Sequence, residues 1–166
     1  MRQQKLGKKL SEEYSTINVE PKLVLGMRQT GPYCIIGVMI PEICEYAAEN
    51  DIQMIGPPMY ICHETSAEEA TKADKENNAD VEVVIPILER GKETEVITCY
   101  ELPAAKMVKT LHKGPYRKEG ATYEKLFAWL KANNKKIVGP IREVYLNDPH
   151  EVSEDDLLIE IYAPID

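Results

Sequence analysis

The chain repeats itself. Gly31-Pro32-Tyr33 recurs as Gly114-Pro115-Tyr116, and Gly56-Pro57 recurs as Gly139-Pro140, both at an offset of 83 residues. The run Val81 to Ile87 echoes Ile159 to Ile165, with Glu82 and Glu160 offset by 78. Three paired marks in one order are hard to get by chance and predict two copies of a single unit. The shorter last offset leaves five extra residues in the first copy. The polar stretch from Thr65 to Ala79 reads as the loop that holds them.

Each copy carries the same succession of signals. A β-leaning run (Lys22 to Arg28; Ala105 to Leu111) ends in a Gly-Pro turn. A helical face follows: Ile36, Ile40, Ile43 and Ala47 in the first copy, and Tyr123, Leu126, Phe127 and Leu130 in the second. Pro41 is tolerable in that first helix only near its first turn. A second Gly-Pro opens a strand (Met59 to Glu64; Arg142 to Asn147), and a loop leads to the last strand of the unit. Glu93 to Tyr100 adds strand length before the second copy begins. The predicted class is α+β: duplicated strand–helix–strand–strand units forming a curved antiparallel sheet with two helices and a central groove. Residues 1–16 read as an N-terminal extension with a loosely docked end. Residues 17–166 read as one domain, the first copy about 17–90 and the second about 91–166.

Length and charge narrow the function. A chain of 166 residues buries enough surface to fold without a metal or disulfide. The net charge of −8 argues against direct nucleic-acid binding and suits a cationic small ligand. Four cysteines without a CxxC pair, a basic start lacking an apolar stretch, and no run long enough to span a bilayer suggest a reducing cytoplasm and no membrane. His63, His112 and His150 have no partner at metal-ligand spacing, and no nucleophile elbow or Gly-rich phosphate loop is present. The expectation is no metal and no cofactor.

Strand alternation sorts the side chains. In the last strand Ile159, Ile161 and Ala163 oppose Glu160 and Tyr162; in the strand before it Val144 and Leu146 oppose Glu143, Tyr145 and Asn147. If the aliphatic sets pack on the helices, the other face gathers Glu160, Tyr145 and Tyr162, with Glu82, Tyr60 and Cys62 from the first copy. A carboxylate among aromatic rings suits a lipophilic cation. Trp129 is a candidate for core or for a pocket wall.

Three motifs resemble a known family. Leu111-His112-Lys113-Gly114-Pro115-Tyr116 resembles the H-x-G-P-Y turn of GyrI-like small-molecule-binding proteins. Gly139 to Pro149 resembles their G-P-x-x-x-x-Y-x-x-D-P segment, and Leu157 to Pro164 their closing L-x-T-E-I-Y-x-P strand, with Ile159 where Thr is common. The likeness covers about residues 18–166. It implies the two-copy fold with a groove between two helices. It also implies the role of a Glu in the final strand of related effector-binding domains, which neutralises lipophilic cations; that position is Glu160.

The leading expectation is therefore a stand-alone multidrug-type binding protein for bulky hydrophobic, often cationic compounds. Its ligand site would use Glu160, Tyr145, Tyr116, Tyr162, Trp129, Glu82 and Tyr33. The first alternative is a hydrolase of cyclopropane-containing electrophiles, with Glu160 as general base and Tyr145 polarising the substrate. The second is a gyrase-modulating protein; a partner regulator is also compatible.

Overall fold

The computed structural model describes residues 14–166. Eight strands form a single antiparallel sheet: β1 (Ser15–Val19), β2 (Lys22–Gly31), β3 (Met59–Cys62), β4 (Ala79–Pro86), β5 (Thr98–Leu102), β6 (Ala105–Lys113), β7 (Ile141–Tyr145) and β8 (Leu158–Ile165). Their order is β1-β6-β8-β7-β3-β4-β2-β5. Two long helices, α1 (Ile36–Glu49) and α3 (Glu119–Ala132), each follow a strand and a single 3-10 turn. Strand, helix, strand, strand thus occurs twice, and the inner strands β3 and β7 pair with each other at the centre of the sheet.

The connection between β5 and β6 dictates the curvature. These strands lie six steps apart in the sheet, about 29 Å if it were flat. Only Pro103 and Ala104 join them, and three Cα–Cα steps reach about 11 Å. The sheet must curl until its far strands approach. Arg142, on central β7, reaches across the concavity and donates from Nη2 to the Pro103 carbonyl at 3.0 Å. Val24, Met59, Ile61, Val84, Leu102 and Val144 fill this inner face.

The helices lie on the outer face. Met39, Ile43 and Ala47 of α1 pack on Leu25, Met27, Val81, Val83 and Ile85. Leu126 and Leu130 of α3 pack on Val108, Ile159, Ile161 and Ala163. Between the two cores lies the outer face of β3 and β7, flanked by the two helices, and Tyr145 touches both cores. That face is the groove.

Several local expectations need correction. Thr65 to Ala79 is not a loop throughout: it contains α2 (Ala67–Lys75). Ser66 accepts from the Glu69 backbone N–H at 3.0 Å, while Glu69 accepts from the Thr65 backbone and hydroxyl, a reciprocal cap. Pro41 lies in the second turn of α1, not the first, because the preceding turn of helix is 3-10. Glu93 to Ile97 forms a turn, with Thr94 N donating to the Ile97 carbonyl, and the strand begins only at Thr98. β1, which pairs with β6, was not foreseen. The expectation for residues 1–13 lies outside the described residues. Cys34, Cys44, Cys62 and Cys99 are free thiols. None of the described helices is long and apolar enough to cross a membrane.

Candidate functional site

The floor of the groove is set by one register. Tyr60 of β3 stands opposite Glu143 of β7, and Cys62 opposite Ile141. Side chains alternate along a strand, so Tyr60, Cys62, Glu143 and Tyr145 all project toward the helices. The walls differ. From α1 come Ile36 and Ile40, partly buried and apolar; from α3 come Glu119 and Tyr123, one helical turn apart.

Glu143 is the central acid. It is 7% exposed and accepts from the Tyr123 hydroxyl and, at 3.1 Å, from the Tyr145 hydroxyl. Burial first, then the charge of the neighbouring Glu143, hold the Glu119 carboxyl far above the usual carboxylate range. Burial and Glu143 likewise push the phenols of Tyr123 and Tyr145 well up, so both stay neutral donors. Among the described residues, no Lys, Arg or His forms an ion pair with either carboxyl.

Rings surround this acid pair in two matched sets. Tyr116 meets Tyr145 edge-on with centroids 6.1 Å apart, and Tyr33 meets Tyr60 in the same way at 6.1 Å. Tyr116 is exposed at the rim. Tyr60 is buried, and its hydroxyl has no hydrogen-bond partner among the described residues. Burial pushes the neighbouring Cys62 thiol up to about 11, which keeps it protonated.

The motif turn aims Tyr116. Gly114 adopts φ +121°, a conformation open to glycine, and donates its N–H to the Leu157 carbonyl at 2.9 Å. Buried His112 donates from Nε2 to the Pro115 carbonyl at 3.0 Å, and its Nδ1 lies 2.7 Å from the Thr122 hydroxyl. His112 therefore ties the turn to the first turns of α3.

The residues expected to form one site are divided between two faces. Tyr33, Tyr116 and Tyr145 are at the groove. Glu160, Tyr162 and Glu82 point into the concave face instead: Glu160 pairs with Val144, Tyr162 with Arg142, and Glu82 with Ile61. Glu160 forms an ion pair with Lys109, whose ammonium also lies 5.8 Å from the centre of the Tyr162 ring. The acid, ring and cation foreseen for a ligand are here supplied internally. Glu82 accepts from Tyr100 at 2.5 Å and from His63 Nε2 at 2.6 Å. Trp129 stacks on Tyr14 at 5.2 Å, on the flank of α3 toward β1, away from the acid pair. Glu160 and Tyr145 thus cannot act together on one substrate in the groove.

The error has a physical origin. β7 lies between β3 and β8 and is buried on both faces, so its aliphatic residues need not face the helices. Val144 fills the inside of the curl, and Glu143 and Tyr145 turn outward. Glu143, Glu119 and Tyr123, which meet at the outer face, were not among the candidates; Tyr60 and Cys62 were, but on the same face as Glu82, which lies on the other side of the sheet. The spacing of Glu119 and Tyr123, on one face of a helix after the Gly-Pro-Tyr turn, was the available signal.

Residues 12–166 match the GyrI-like small molecule binding domain. The chain belongs to that family. Comparison of this GyrI-like domain with curated proteins finds no match. Among solved structures it is similar to the C-terminal domain of EcmrR (21% identity, TM-score 0.80, 92% of this chain and 96% of that one). It is also similar to EcmrR in its DNA complex (22%, TM-score 0.79), covering 99% of this chain but only 63% of the EcmrR chain. More distant are a hydrolase from Listeria innocua (12%, TM-score 0.64, 98% and 97% covered) and SAV2435 bound to tetraphenylphosphonium (12%, TM-score 0.57, 93% and 94% covered). At these identities the likeness establishes the shared fold.

Proposed function

We propose that this GyrI-like domain captures bulky lipophilic cations in the groove between α1 and α3, with Glu143 supplying the charge. One observation carries the reading. A buried carboxyl ringed by tyrosines has no cationic side chain paired with it among the described residues, so the charge it can hold is left for a ligand. Ring faces attract cations, and apolar Ile36 and Ile40 give a hydrophobic body something to pack on. The binding of tetraphenylphosphonium by a protein of this fold is compatible with this. The net charge of −8 favours a cation and disfavours direct nucleic-acid contact. Inside the cell such a domain would sequester its ligand or report it to a partner regulator.

The test is a calorimetric titration with tetraphenylphosphonium and with neutral triphenylphosphine oxide, on the native chain and on Glu143→Gln. The reading expects the variant to lose about tenfold or more in affinity for the cation, about 1.4 kcal/mol, and little for the neutral compound. Equal losses for both would remove the charge role.

The acid pair favours one second reading. A carboxyl held protonated by burial beside a second carboxyl is an arrangement general acid–base hydrolysis uses. Glu143 would take a proton from a water whose oxygen bonds to a ring carbon, as the strained C–C bond breaks and Glu119 gives its proton to the carbon that leaves. Catalytic consumption of a cyclopropane-bearing probe, lost in Glu143→Gln, would establish it; a probe recovered intact would exclude it.

A further inference from the structure

The two halves of the chain carry the same backbone and different side chains. α1 and α3 are both 14 residues long and begin 83 residues apart. Their ends match in detail: the N–H of Asn50 donates to the Tyr46 carbonyl at 3.1 Å, and that of Asn133 to the Trp129 carbonyl at 3.1 Å. Tyr60 and Glu143 are also 83 residues apart, and they stand directly opposite each other in the sheet. A local twofold axis of the backbone therefore passes between them, through the middle of the groove floor. Across that axis the chemistry changes from polar to apolar. Tyr123 of α3 corresponds to Ile40 of α1, and Glu119 to Ile36. Tyr123 and Tyr145 donate to the Glu143 carboxyl, whereas Ile36 and Ile40 pack on the first core and keep part of their surface exposed. Glu64, just past β3, is turned to the start of β4: it accepts from the Tyr33 hydroxyl at 2.5 Å and from the Asp80 backbone N–H at 3.0 Å.

We infer that the ligand of this groove is a single-headed cationic amphiphile lying across the twofold axis, its head against Glu143 and Tyr123 and its tail against Ile36 and Ile40. The inference rests on the reading of the groove as a cation site and adds the ligand's class and direction. A quaternary ammonium head keeps its charge at every pH and donates no hydrogen bond, so it is recognised by a carboxylate and by ring faces. The α3 half supplies both. An alkyl tail is recognised by aliphatic surface, and each methylene that leaves water gains up to about fourfold in affinity. The α1 half supplies that surface. The reverse orientation would take the head off the Glu143 carboxylate, set it among aliphatic side chains, and cover the polar half with hydrocarbon, which is costly on both counts. Ile36 and Ile40 are thus specificity-determining residues: they fix which end of the ligand enters which half.

Hexyl-, octyl- and decyltrimethylammonium are titrated into the full chain by calorimetry, with tetraphenylphosphonium as the reference cation. Affinity should rise about threefold per added methylene in the native chain. Ile36→Ser and, separately, Ile40→Ser should lower that slope below about twofold, whereas Glu143→Gln should weaken all three ligands by one common factor of about tenfold and leave the slope unchanged. The slope is read within one protein at a time, so a variant that is partly unfolded does not distort it. On the native chain, intermolecular NOEs should connect the tail's terminal methyl with Ile36 and Ile40, and the head's N-methyls with the rings of Tyr123 and Tyr145. A slope that survives both isoleucine variants, a slope flattened equally by Glu143→Gln, or NOEs that place the head on Ile36 and Ile40 overturns this inference and leaves the cation reading standing. So does a failure of all three ammonium ligands to bind while tetraphenylphosphonium binds. If tetraphenylphosphonium and the ammonium ligands all fail to bind, the cation reading falls, and this inference with it.

Discussion

Tyr60 and Glu143 stand opposite each other across the pairing of β3 with β7. One comes from each half of the chain, and both rise into the space between the helices. The pairing of the halves therefore creates the site: neither half alone holds both an acid floor and two sets of rings.

Glu160 is predicted to be dispensable for the ligand. It already holds Lys109 on the concave face. Glu160→Gln should leave tetraphenylphosphonium affinity within about twofold, whereas Glu143→Gln should not. Its stability cost should stay at or below about 1 kcal/mol, the range of a partly exposed pair. A large affinity loss in Glu160→Gln would mean that ligand enters the curl.

Stability should fall as the solution becomes more alkaline, and Glu119 should be a cause. Its carboxyl has a higher pKa in the folded chain than the ordinary 4.5. The folded state thus retains a proton that the unfolded state loses once pH passes about 4.5, so unfolding gains favour from there upward. The contribution approaches about 1.4 kcal/mol per pH unit at most. Urea unfolding at pH 5.5 and pH 8 should show a smaller decline for Glu119→Gln than for the native chain. Identical declines would remove Glu119 as the source.

Gly26→Ala should disrupt the Tyr100–Glu82 contact. An added Cβ would sit 2.1 Å from the Tyr100 hydroxyl and 2.6 Å from its ring, so the ring must move off Glu82. Overpacking of this kind costs about 1–3 kcal/mol. For a chain of this size each kcal/mol lowers Tm by about 2–4 °C. An unchanged melting temperature would contradict the packing described for the concave face.

Ser66→Ala removes the side chain that caps α2 and should cost about 1 kcal/mol. Because α2 contributes no side chain to the acid pair, ligand affinity should not change. A calorimetric titration of the variant checks the second point and a thermal melt the first.

The fold was legible because the paired Gly-Pro marks and helical faces recur in order, and local signals of that kind survive without tertiary information. The concave curl was not legible in detail, since it depends on β5 and β6 meeting through Pro103 and Ala104 after the sheet has formed. Of the proposed site, the Gly-Pro-Tyr turns point to Tyr33 and Tyr116, whereas alternation set Tyr145 on the face away from the helices, with Glu160. The choice of Glu160 over Glu143 came from treating β7 as buried on one face only. On a strand buried on both faces, alternation separates two sets but does not say which meets the helices. The S-x-x-E signal at Ser66 and Glu69 was present in the sequence and would have placed α2.

The most direct measurement is a crystal structure of the chain grown with tetraphenylphosphonium. The account predicts the cation between α1 and α3, against Tyr116 and Tyr145, with Glu143 as its nearest carboxylate. A cation seated instead in the concave face beside Glu160 and Tyr162, with Lys109 displaced, would contradict it.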